Sequence, residues 1–125
     1  MRLEVLRGGF AIVRLDATAA LPAWVESFEF LSITRTREEL SLVCESAHVP
    51  SEIAAEREWR CMKVEGPLDL SLTGVLASLA EPLARAGIPI FAISTFDTDY
   101  LLVKAVNLEA AIAALESAGH IVHVV

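Results

Sequence analysis

Trp59 to Glu65 is a strand-like run of aromatic, aliphatic and β-branched side chains, and Gly66-Pro67 ends it. The period of the apolar positions then changes. Leu72, Val75, Leu76, Leu79, Leu83 and Ala86 recur three and four residues apart, which predicts an amphipathic helix facing a core, with Gly87 as its C-terminal cap. Pro82 within that stripe costs the helix one hydrogen bond or a kink. Ile88 to Ser94 and Tyr100 to Val106 read as two further strands. Asn107 is placed to cap a second helix running through Gly119, with Leu108, Ala111, Ile112 and Leu115 inward, and His120 to Val125 closes as a strand. The order is βαββαβ. It predicts an α+β fold, two helices on one face of an antiparallel sheet, in the ferredoxin-like arrangement.

The first half carries a worn copy of the same pattern. Residues 21–43 laid over 81–103 without a gap match Pro22 with Pro82, Ile33 with Ile93, Thr34 with Ser94, Glu39 with Asp99, Leu42 with Leu102 and Val43 with Val103. A fixed offset of 60 residues argues for an internal repeat. In this half the first helix shrinks to about Ala19–Glu26, Thr36-Arg37-Glu38 makes a turn, and Ser51–Arg57 is a short second helix; Leu3–Leu6 and Phe10–Leu15 supply strands. Two fused units are expected, an abbreviated one over residues 1–58 and a complete one over 59–125.

Composition narrows the function. At 125 residues and 54% hydrophobic, the chain can bury a core. A net charge of −7 opposes non-specific binding to nucleic acid or an anionic membrane, which leaves small molecules and proteins as partners. Arg2, Glu4 and Arg7 interrupt the N-terminus where a secretory signal needs an apolar core, and no stretch approaches the roughly 18 apolar residues of a membrane span, so a cytoplasmic address is expected. Cys44 and Cys61 lie in apolar runs without metal-ligand spacing and read as buried free thiols. His48, His120 and His123 fit no metal pattern either, and no metal or cofactor is expected. No GxSxG elbow, Walker loop or GxGxxG is present, and LRGGFA is only a glycine pair between strands. Asp97 and Asp99 lack a partner base, so catalysis is not expected.

One link stands out. Between the two later strands lies Thr95-Phe96-Asp97-Thr98-Asp99, glycine-free where a tight hairpin favours Asn-Gly or Asp-Gly. Ser, Thr and Asp often bond neighbouring backbone, so the link can be a self-capped turn with Phe96 plugging the core. A hydroxyl- and carboxylate-rich link carrying an aromatic also suits one wall of a binding site.

The stretch KVEGPLDLSLTGVLASLAEPLARAGIPIFAISTFDTDYLLVK resembles the ACT domains of small bacterial ACT-domain proteins and of the animal cytosolic arginine sensors called CASTOR. It is more distantly similar to the regulatory domains of aspartate kinases. The resemblance is strongest over Trp59–Val125, above all in STFDTDYLLV and SLTGVLASLAEPLARAGI, and weaker over the N-terminal half. It implies the ACT fold, an amino acid or similar small metabolite as ligand, and coupling of its binding to an attached enzyme or partner. None of the 125 residues is left for an enzyme, so the regulated target is expected to be a separate, unidentified protein. The segment of the arginine sensors that resembles Thr95–Asp99 contributes to their ligand pocket, which puts Thr95, Phe96 and Asp99 at the ligand. The first unit has Thr34-Arg35-Thr36-Arg37-Glu38-Glu39 in its place.

Residue chemistry approaches the same place from the other side. The loop Gly66–Gly74 enters a helix whose first N–H groups are unsatisfied and electropositive, a seat for a carboxylate. Gly74 lets a ligand approach the backbone near Thr73, while Thr95 and Thr98 offer hydroxyls and Asp99 an anionic partner for an ammonium or guanidinium. The candidate ligand-binding set is therefore Gly66, Leu72, Thr73, Gly74, Ser94, Thr95, Phe96, Thr98 and Asp99. A neighbouring unit, the first half or a second copy, would complete the pocket, so a homodimer is expected. The alternative is a ligand-free dimeric adaptor using exposed sheet edges.

Overall fold

The computed structural model describes residues 1–26 and 29–125. In chain order the strands are β1 Arg2–Val5, β2 Phe10–Leu15, β3 Leu31–Arg35, β4 Leu40–Glu45, β5 Glu56–Val64, β6 Phe91–Ser94, β7 Asp99–Lys104 and β8 Ile121–Val124; the helices are α1 Val75–Arg85 and α2 Leu108–Ser117. The chain falls into two units, Gly8–Trp59 and the combination of Met1–Arg7 with Arg60–Val125.

The larger unit has the βαββαβ order that the apolar periods predict, with one addition. Its strands are ordered β6-β7-β5-β1-β8, and β1, expected in the N-terminal unit, lies between β5 and β8. Leu3 sits opposite Val64 in an antiparallel pair and opposite Val122 in a parallel one. The buried side chains of Leu3 and Val5 join Met62, Val64, Leu79, Leu83, Leu101, Val103, Ala111 and Leu115 in a core roofed by both helices. Their burial there assigns residues 1–7 to this unit.

α1 ends as Gly87 predicts, and α2, expected to run through Gly119, stops at Ser117 with Gly119 in the same capping role. Gly87 and Gly119 have positive φ; Ile88 and Gly87 donate to the carbonyls of Leu83 and Ala84, and His120 and Gly119 to those of Leu115 and Glu116, two Schellman caps. Asn107 does not cap α2 through its side chain, because a 3-10 turn over Ala105–Asn107 leads directly into the helix. Within α1, Leu79 and Leu83 are buried, whereas Leu76 and the preceding Leu72, expected in the core, are exposed. Pro82 supplies no N–H for the carbonyl of Ser78, and His120 Nε2 takes that place at 3.0 Å. A carbonyl can only accept, so Nε2 carries the proton and Nδ1, 3.0 Å from the Met1 amine, accepts from it.

The smaller unit pairs β3 with β4, β4 with β2, and β2 with the first part of β5, all antiparallel. Its core is Ala11, Val13, Leu40, Leu42, Cys44 and Val49, with Trp24, Val25, Ile53 and Ala55 packed against it. Neither helix expected here forms. Ala19–Glu26 is a series of isolated turns, closed by Ala19 N to Asp16 O and Val25 N to Pro22 O, because Pro22 interrupts a segment too short to nucleate. Ser51–Arg57 is a single turn running into β5, held by the Arg57 guanidinium on the carbonyls of Pro50 and Ile53, each at 2.8 Å. The two hairpins correspond in register, one residue off the expected offset. Arg35 faces Leu40 as Ser94 faces Asp99, and short 3-10 turns begin at Ser46 and Ala105; each correspondence spans 59 residues, not 60.

Candidate functional site

A cleft of about 290 Å³ opens on the larger unit between two walls. One is the loop from Leu68 to Gly74 with the first residues of α1, and the other is the hairpin tip from Ser94 to Asp99. The walls are fastened at their base. Leu68 N donates to Asp97 O at 2.7 Å, and the buried Thr98 hydroxyl donates to Val64 O at 2.6 Å. Gly66 fits beneath the tip because a Cβ there would lie 3.1 Å from Asp97 O and 3.2 Å from Thr98 Cβ.

The hairpin tip needs no glycine because Phe96 and Asp97, its central residues, do not adopt positive φ. Thr95 N donates to Thr98 O at 2.8 Å, and the Thr95 hydroxyl donates to Thr98 O while accepting from Thr98 N. Thr36 braces the corresponding turn of the smaller unit, accepting from the N–H groups of Glu38 and Glu39. The threonine therefore serves the turn in both copies. What differs is the rest of the tip. Phe96 is 80% exposed and does not plug the core. The Ser94 hydroxyl donates to Asp99 Oδ1 at 2.6 Å, which holds the Asp99 carboxylate at the cleft wall.

On the opposite wall, Asp69 accepts from the N–H and hydroxyl of Ser71, and these two bonds hold its carboxyl below the usual carboxylate range. The loop then delivers Gly74, at φ 77°, as the residue preceding α1. Among the described residues no side chain caps the helix start, which leaves its first-turn N–H groups uncapped, and Gly74, Val75 and Leu76 at that start line the cleft. Space around Gly74 is open, and its positive φ, not crowding, is what requires glycine.

Of the residues expected at a ligand, Leu72, Gly74, Ser94, Thr95, Phe96, Thr98 and Asp99 line this cleft; Gly66 supports it from below, and Thr73 is not among the lining residues. The hydroxyls of Thr95 and Thr98 are engaged with backbone, so Thr98 is a fastening of the tip more than an open donor. Leu68, Asp69 and Leu70 from the Gly66–Gly74 loop, Asp97 from the link, and Val75 and Leu76 from α1 line it as well, and none of these six is in the candidate set. Leucines at alternate positions of PLDLSLTG, too apolar for a solvated loop, were the available signal. Leu70, 69% exposed, and Leu72, 54% exposed, join Phe96 in an apolar rim, while Asp69, Asp97 and Asp99 make the lining acidic with no basic residue among it.

Burial pushes the Cys61 thiol up to about 12 and, with Glu45 nearby, raises Cys44; both are free thiols. Among the described residues no group of three or more His, Cys, Asp or Glu is arranged for a metal, and no helix is long and apolar enough to cross a membrane.

The sequence model of the ACT domain matches residues 54–117, and a second model, of an N-terminal domain, matches residues 8–52. A protein from Agobacterium tumefaciens of known crystal structure is 41% identical, over 99% of this chain and 92% of its own, with a TM-score of 0.93. Two more distant structures share the fold. The regulatory subunit of aspartate kinase from Thermus thermophilus, in its ligand-free form, is 14% identical over 89% of this chain and 91% of its own, with a TM-score of 0.58. The aspartate kinase of Clostridium acetobutylicum, an allosteric enzyme, is 13% identical over 88% of this chain and 32% of its own, with a TM-score of 0.64. The chain belongs to the ACT domain family.

Proposed function

We propose that this protein is a non-catalytic cytoplasmic regulator that binds an amino acid or similar zwitterionic metabolite in the cleft between the Leu68–Gly74 loop and the Ser94–Asp99 tip. The observation that carries the reading is the opposed chemistry of the two walls. An uncapped helix start offers N–H groups to a carboxylate, and Asp99, oriented by Ser94, offers acceptor oxygen to an ammonium. Leu70, Leu72, Leu76 and Phe96 then provide apolar contact for a side chain. The volume of about 290 Å³ is at the small end of ligand sites, which run from about 300 to 1,000 Å³, and suits a single small metabolite. Family membership supports the same reading, as does the regulatory subunit among its structural relatives. A separate protein is the expected recipient of the signal, and a second copy of the chain the expected partner.

A thermal-shift screen of the purified protein against the twenty amino acids and central metabolites tests it. A ligand at a hundred times its dissociation constant adds about 2.7 kcal/mol, several degrees for a domain of this size. One selective shift, lost in Asp99→Ala, is expected. A shift that survives Asp99→Ala and Gly74→Ala would move the site elsewhere. The alternative, a ligand-free dimeric adaptor using exposed sheet edges, takes over if no compound shifts the transition.

A further inference from the structure

We infer that the smaller unit is a closed counterpart of the cleft, with the Arg35 guanidinium held across it as a built-in occupant, so that each chain takes one ligand and not two. At the offset of 59 residues between the hairpins, Arg35 stands where the larger unit has Ser94, and Leu40 stands where it has Asp99. The facing loops correspond as well. Residues 16–19 leave the end of β2 beside β4, just as residues 65–68 leave the end of β5 beside the start of β7.

The two units join tip to loop with different groups. In the larger unit the Asp97 carbonyl accepts from Leu68 N, which leaves Ser94 and Asp99 at the cleft wall. In the smaller unit the corresponding carbonyl, that of Glu38, accepts from Arg14 Nη2 at 2.8 Å. Arg35 then reaches over to the facing loop, where Nη1 donates to Ala17 O and Nη2 donates to Ala19 O, the latter at 2.8 Å. Ala19 stands fourth after β2 as Leu68 stands fourth after β5. One planar cation thus spans tip and loop with two donors on two carbonyls, a fit that a guanidinium fork makes and an ammonium does not. Where the larger unit presents a carboxylate to a cation from outside, the smaller one brings its own cation and buries Leu40 in the carboxylate's place. The closure stands on Arg35 and the carbonyls it meets; its consequence for ligand number rests on the larger unit's cleft being the binding site.

An NMR titration of the intact protein with ethylguanidinium, which matches the atoms that Arg35→Ala removes, tests the closure. In Arg35→Ala the amides of residues 17–20 and 36–39 should shift and saturate at tens of millimolar, and in the wild type they should stay in place. Ethylammonium, equal in charge but without the planar fork, should move them in neither protein. Arg35 is exposed, so the variant should keep a cooperative thermal transition; Arg35→Gln, titrated in the same way, replaces it if it does not. The amides of residues 74–76 and 94–99 read the larger unit's cleft in the same spectra, so failure of the binding site there and failure of the closure here are told apart. Equal shifts in wild type and variant, no saturating shift in the variant, or an equal response to ethylammonium would each overturn the inference.

Discussion

Thr98 and Asp99 are neighbours with opposite duties. Thr98 is buried and its hydroxyl satisfies the carbonyl of Val64, whereas Asp99 is half-buried and its carboxylate accepts from an exposed serine at the cleft. Thr98→Val keeps the shape but strands a buried carbonyl, and about 1–3 kcal/mol of stability should be lost, visible in urea unfolding. Asp99→Ala should change stability by about 0.5 kcal/mol or less, so that its effect on ligand binding is not a folding effect. A Thr98→Val protein as stable as wild type would show that the tip is not fastened there. The sequence marked STFDTD as unusual but not this division of labour, since a threonine that braces a turn and one that faces a ligand look the same until their partners are seen. Phe96 was readable only as either a core plug or a wall, and its 80% exposure removes the first.

At the scale of elements, sequence was most informative where backbone chemistry is local. Gly87 foretold the end of α1, and Gly119 ends α2 by the same bonds, because positive φ and the Schellman bonds depend on nearby residues alone. The short helices of the smaller unit failed for the converse reason: segments of eight and seven residues, one interrupted by Pro22 and the other pinned by Arg57, give way to whatever the surrounding core permits. Pro82 is the most testable case. It leaves the Ser78 carbonyl without its helical donor, and His120, 42 positions from Ser78, substitutes for it. His120→Ala should therefore destabilise the protein by about 1 kcal/mol, and by clearly less in a Pro82→Ala background, where residue 82 regains an N–H for the same carbonyl. A double-mutant cycle by chemical denaturation measures the coupling. Strict additivity would mean that His120 does not stand in for the missing donor.

The whole molecule departs most from its sequence pattern at β1. Leu3–Leu6 was legible as a strand, but nothing local says which unit takes it, because strand order is a property of long-range pairing and not of periodicity. Its position between β5 and β8 has a consequence for dissecting the protein. A fragment of residues 59–125 contains the complete βαββαβ sequence and matches most of the ACT domain model, yet it lacks the strand that joins β8 to β5 and the buried Leu3 and Val5. Burial of a Val or Leu side chain is worth about 1.5–3 kcal/mol, and the lost pairing adds to the deficit. Against a total stability of about 5–15 kcal/mol for a whole domain, removing both leaves little margin. The fragment is expected to show no cooperative thermal transition by circular dichroism, and a synthetic peptide of residues 1–7 added in excess should restore part of it. The peptide would have to enter between two strands that have no other reason to stand apart. A fragment that folds cooperatively without the peptide would mean that β8 can close directly onto β5, and β1 would then be an insertion the larger unit tolerates.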